Sequence, residues 1–97
     1  MIINPLAKIG RNVTLLRGCT IWGNRRRQKK GAPTIGNNVW VGANAAIIGE
    51  VNIGNNVMIA PNAYINVVVL SNSICVGNPA KIIPKLNATE FYIDNPI

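Results

Sequence analysis

Histidine is absent from the 97 residues, and acids are scarce: Glu50, Glu90 and Asp94 are the three. This set supplies no imidazole base, no pair of carboxylates for acid–base work and no metal site of the usual kind. Two cysteines, Cys19 and Cys75, are too few for a disulfide framework and read as reduced thiols of a cytoplasmic protein. In that setting the N-x-Thr sequons at Asn12 and Asn87 carry no glycosylation. No apolar run approaches the roughly 18 residues of a membrane span. No basic segment followed by a long apolar stretch marks a signal peptide. Aromatic residues make up 5% and charged residues 13% of the chain, while 48% is hydrophobic, which excludes a disordered composition.

The net charge of +7 raises the question of nucleic acid. Its distribution argues against that partner. Arg25, Arg26, Arg27, Lys29 and Lys30 crowd into one stretch, with Arg17 upstream, and the remainder is nearly neutral. This is one basic loop, not a basic face with interleaved aromatics.

What the chain has in quantity is a repeat. Ile3, Ile9, Leu15 and Ile21 recur every six residues, and Ile35, Val41, Ile47, Ile53, Ile59 and Ile65 resume the series. A second series stands four residues after each member: Ala7, Val13, Cys19, then Val39, Ala45, Val51, Val57, Ala63 and Val69. A helix wants alternating threes and fours, and a half-exposed sheet wants twos. A period of six fits a solenoid built from one short strand and one turn per unit. Three units close one coil, so residues 18 apart should stack: Ile35 with Ile53, Val41 with Ile59, Ile47 with Ile65, and Asn37-Asn38 with Asn55-Asn56. Gly and Asn suit the corners, where positive φ is required, and stacked Asn side chains can form ladders.

The period breaks between Ile21 and Ile35, which are 14 residues apart. A loop over about 23–33 therefore leaves the coil. A coil-terminating segment is expected over 71–86, where GNPAK ends the solenoid. Asn87 and Glu90 read as an N-cap and capping-box acid, predicting a short helix over about 88–94. One domain over 1–97 suits the length.

The stretch PTIGNNVWVGANAAIIGEVNIGNNVMIAPNAYIN, followed by GNPAKII, resembles the C-terminal part of hexapeptide-repeat acyltransferases, serine acetyltransferases most of all. The resemblance implies an all-β, left-handed parallel β-helix, a homotrimer, and acetyl-CoA in the groove between neighbouring solenoids. It implies an acceptor hydroxyl on serine or a sugar, deprotonated by a histidine. By the match at Ile2-Ile3 that histidine would fall about four residues before Met1, and a second family histidine is replaced by Ala32. A truncated form with scaffold and groove but no base is expected. The alternative is a non-catalytic trimeric scaffold that binds CoA weakly or not at all.

The family match places Gly42 and Ala43 against the CoA arm at one corner, and Ala60 and Pro61 at the next. Asn66 matches a polar contact to CoA, and Lys81 a cation on its phosphates. Val67, Val68 and Leu70 depart from the family's rim. Trp22 is expected at the loop base or an intersubunit seam, and Trp40 outside the coil at an intersubunit contact. Ile2, Ile3 and Leu6 form a first coil with nothing beneath it, which predicts further self-association through that end.

Overall fold

A computed structural model describes residues 1–23 and 31–89. The strands are short because each spans one side of a triangle. In chain order they are β1 (Ile2–Ile3), β2 (Lys8–Ile9), β3 (Val13–Leu15), β4 (Thr20–Trp22), β5 (Thr34–Ile35), β6 (Val39–Val41), β7 (Ala46–Ile48), β8 (Asn52–Ile53), β9 (Val57–Ile59), β10 (Tyr64–Ile65), β11 (Ser73–Val76) and β12 (Lys81–Pro84). They stack into three faces. The first face runs β1-β4-β7-β10, the second β2-β5-β8, and the third β3-β6-β9-β11-β12. Every pairing is parallel except the last, where β12 folds back on β11. Backbone hydrogen bonds run between coils, and side chains pointing inward pile into one column.

The registers bear out the repeat. Ile35 pairs with Ile53, Val41 with Ile59, and Ile47 with Ile65. Both aliphatic series are buried from Cys19 onward, whereas Ile3 and Ile9 of the first coil are exposed. Ile21, Ile35, Ile47, Ile59 and Ile65 are fully buried, as are Val39, Val41, Val57 and Cys19. Val69 is also buried, but its place differs from the expected one. It bridges Ile53 instead of continuing the small series above Val51. The last coil is shorter: Asn55 bonds Ser71 at a separation of 16, where Asn37 bonds Asn55 at 18. Dropping two residues between Ile65 and Val69 keeps Val69 inside and moves Val67 and Val68 out to solvent.

Across the loop the register jumps from 18 to 26, seen in Lys8 with Thr34 against Thr34 with Asn52. The eight extra residues leave at Gly23 and return at Gly31, whose backbones lie side by side. The basic residues of that loop lie outside the described residues. Pro33 then re-enters the core, and its carbonyl accepts from Lys8 N at 3.1 Å.

Corners are made by asparagine. Asn12, Asn38, Asn44, Asn56, Asn62 and Asn72 all adopt positive φ between 57° and 66°. Asparagine tolerates this left-handed conformation better than other residues with a Cβ. The corner between the second and third faces carries two ladders. In one, Asn37 Oδ1 accepts from Arg11 N at 2.8 Å, Asn55 Oδ1 from Asn37 N at 2.7 Å, and Ser71 Oγ from Asn55 N at 2.8 Å. In the other, Asn12 Nδ2 donates to Asn38 Oδ1 at 3.1 Å and Asn56 Nδ2 to Asn72 Oδ1 at 2.7 Å.

The segment 71–86 still contributes β11 to the third face before β12 turns back antiparallel, with Ser73 opposite Pro84 and Val76 opposite Lys81. Residues 85–89 then return along the asparagine corner, where Ala88 and Thr89 are buried. Of the helix expected over about 88–94, Ala88 and Thr89 lie in a turn, and positions 90–94 lie outside the described residues.

Candidate functional site

The corner between the third and first faces gathers four of the six expected site residues. Gly42 and Ala43 link β6 to β7, and Ala60 and Pro61 link β9 to β10, one coil later. The coils are locked together here. Gly42 N donates to Ile59 O at 2.8 Å, Asn62 N to Ala43 O at 3.0 Å, and Ala60 N to Cys75 O at 2.9 Å. A Cβ on Gly42 would lie 2.6 Å from Pro61 N, so only glycine permits this approach. Ala43 and Ala60 are half-buried and Pro61 is exposed, which leaves a corner lined by short side chains.

Lys81 stands at the upper end of the same corner. Cys75 pairs with Ile59, which sets Val76 above Ala60, and Val76 pairs with Lys81. The turn from β11 to β12 contains the cis peptide Asn78-Pro79 and Gly77 at φ 97°. Gly77 O accepts from Tyr64 N at 3.0 Å and Tyr64 O from Ala80 N at 3.1 Å, tying this turn to the first face.

Asn66 is elsewhere. It follows β10, at the far edge of the first face, and is exposed. Four residues of strand separate it from the corner at Asn62, roughly 13 Å at about 3.3 Å per residue. Within one chain it does not meet the other five.

One residue at this corner was not singled out from sequence. Asn44 N donates to Arg17 O at 3.1 Å, as Asn62 N does to Ala43 O. Arg17, Ala43 and Pro61 are therefore successive steps of one column. In sequence Arg17 grouped with the basic loop, but the loop leaves from the opposite edge of the first face, at Gly23 and Gly31. The repeat phase is the signal that separates them: Arg17 stands one coil before Ala43 once the eight-residue loop is removed.

The remaining side chains have structural places. Cys19 and Cys75 are fully buried and free. Desolvation pushes the Cys75 thiol up to about 11 and raises that of Cys19, so neither is a ready nucleophile. Trp40 lies on the outer side of the third face, between Thr14 and Met58. Trp22 ends β4 beside Ile48, at the loop base, and is exposed. Among the described residues no helix is long and apolar enough to cross a membrane.

Comparison with known proteins agrees with this architecture. Residues 32–67 match the family Bacterial transferase hexapeptide (six repeats). The chain is 36% identical over 85 residues to the serine acetyltransferase of Helicobacter pylori, covering 88% of this chain and 50% of that protein. It is 41% identical over 87 residues to probable serine acetyltransferase 5 of Oryza sativa, covering 90% of this chain and 26% of that protein. Among solved structures, the serine acetyltransferase of Neisseria gonorrhoeae superposes with a TM-score of 0.81 at 31% identity, over 98% of this chain and 37% of that one.

Fold and repeat thus define the class: an all-β, left-handed parallel β-helix of hexapeptide repeats. Within that class the chain is a hexapeptide-repeat protein of the acyltransferase kind, close to the serine acetyltransferases. It spans half or less of the length of those relatives.

Proposed function

We propose that this chain is the cofactor-binding β-helix of an acetyl-CoA-dependent O-acetyltransferase whose acceptor is a hydroxyl of serine or a sugar. One observation carries the reading: Gly42, Ala43, Ala60 and Pro61 line a single corner that ends at Lys81, in a fold shared with serine acetyltransferases. The short side chains leave room for the pantetheine arm, and the Lys81 ammonium offers a mobile point charge to the phosphates. A homotrimer would close the corner with a neighbouring solenoid and bring a neighbour's Asn66 within reach.

In the transfer, the acceptor oxygen attacks the thioester carbonyl, the C–S bond breaks, and the CoA thiol departs. The acceptor proton needs a base, and these 97 residues contain no histidine. The chain alone is therefore expected to bind the donor without transferring its acyl group. The same absence favours the second reading, a non-catalytic trimeric scaffold, and so do the exposed Val67, Val68 and Leu70.

Titration calorimetry of acetyl-CoA and of CoA into the chain separates the two. The first reading expects about one site per subunit, weakened by Lys81→Ala and by salt. No heat of binding at millimolar ligand would leave the scaffold.

A further inference from the structure

The described residues include five cations, Lys8, Arg11, Arg17, Lys81 and Lys85. Two of them, Arg17 and Lys81, belong to the small-residue corner, one at each end. Arg17 is exposed at the first coil, Ala43 and Pro61 follow, and Lys81 lies beyond Val76. With coils about 4.8 Å apart, the backbones of the two cations are roughly 19 Å from each other. The single acid among the described residues, Glu50, lies against Gly31 at the opposite edge of the first face, so it neutralises neither.

A CoA thioester carries its phosphates at one end and its acyl group at the other. With the phosphates at Lys81 and the arm along Pro61 and Ala43, the acyl group arrives at Arg17. We propose that Arg17 is a specificity residue for the acyl group, and that the corner prefers thioesters whose acyl chain ends in a carboxylate over acetyl-CoA. This rests on the reading of the corner as a CoA site and departs from it in the acyl group, which that reading took to be acetyl. A guanidinium suits the task because its planar fork meets both oxygens of a carboxylate.

The test compares acetyl-CoA with succinyl-CoA by calorimetry on the full 97-residue chain and its variants. Succinyl-CoA is expected to bind about five-fold more tightly at low salt, in the range of an exposed charge pair. Arg17→Gln should remove that preference, weakening succinyl-CoA more than acetyl-CoA until the two bind alike. Lys81→Ala should weaken both ligands alike. Arg11→Gln, on a different corner, controls for bulk charge and should change neither. Equal affinities for the two thioesters would overturn the assignment alone, as would a preference that survives Arg17→Gln or is lost equally in Arg11→Gln. Failure of both thioesters to bind the unmodified chain would overturn the CoA site together with it.

Discussion

The Thr89 hydroxyl donates to Asn56 Oδ1 at 2.6 Å. Asn56 in turn donates through Nδ2 to Asn72 Oδ1 at 2.7 Å and to Leu86 O at 2.8 Å. One side chain thus joins the coil ladder to the returning segment, from a backbone at φ 57°. Asn56→Ala should cost about 2–4 kcal/mol, combining lost hydrogen bonds with left-handed strain. Asn56→Gly should cost about 1 kcal/mol less, because glycine relieves the strain but not the lost bonds. Thr89→Val should cost about 1 kcal/mol. Urea midpoints measure all three, and equal losses for the Ala and Gly variants would remove backbone strain from the account.

Gly36 and Leu70 occupy equivalent positions on successive coils, with Gly54 between them. A Cβ on Gly36 would run into Asn55 Oδ1 and lie 2.8 Å from Gly54 O. A Cβ on Gly54 would lie 2.6 Å from Ser71 N. Among the described residues the second face adds no further strand after Leu70, and Leu70 is 74% exposed. Gly36→Ala is therefore expected to destabilise by about 1–3 kcal/mol, as overpacking does. Leu70→Ala should be neutral within about 0.5 kcal/mol. Thermal melts of the two variants check the contrast.

How far the sequence could be read follows from the same positions. The inward series, the stacking at 18 and the asparagine corners were legible because each coil repeats one steric demand. The shortened last coil was not, since Val69 is apolar in either register and only the bridge to Ile53 decides. Four of the expected site residues shared a phase of the repeat and so shared a corner. Lys81 follows an antiparallel turn, where the period gives no guidance, and its place beside Val76 appears only in the structure. Asn66 was assigned by family match, although its phase sets it at another corner. Arg17 was hidden by its nearness in sequence to the basic loop.

Cys75 gives the fold a pH dependence. Its thiol is raised from an ordinary 9.0 to about 11 by burial. Burial favours the neutral form, so the native state holds the proton over a range where the unfolded state has released it. The stabilisation is complete below pH 9 and is lost as pH rises toward 11, up to about 2–3 kcal/mol. Cys75→Ala lowers stability at neutral pH through the cavity it leaves, yet should flatten this alkaline slope. Some slope should remain, because Cys19 is shifted in the same direction. Chemical denaturation at pH 8, 9 and 10 reads the slopes, and an unchanged slope in the variant would assign the alkaline loss to other groups.

The corner itself can be tested by filling it. Ala43 is half-buried between Gly42 and the exposed Asn44, directly below Pro61. Leucine there would project into the space assigned to the pantetheine arm without entering the core, whose nearest members are Val41 and Ala45. Ala43→Leu should weaken acetyl-CoA binding by at least about ten-fold, or roughly 1.4 kcal/mol, and leave the melting temperature within a few degrees. Unchanged affinity with an intact fold would move the site away from this corner. Asn66→Ala adds a second reading in the same experiment. Its side chain is roughly 13 Å along the first face from the corner of its own chain. A loss of affinity in that variant would therefore require the Asn66 of a neighbouring protomer, and with it an assembled oligomer. Unaltered binding would remove Asn66 from the site.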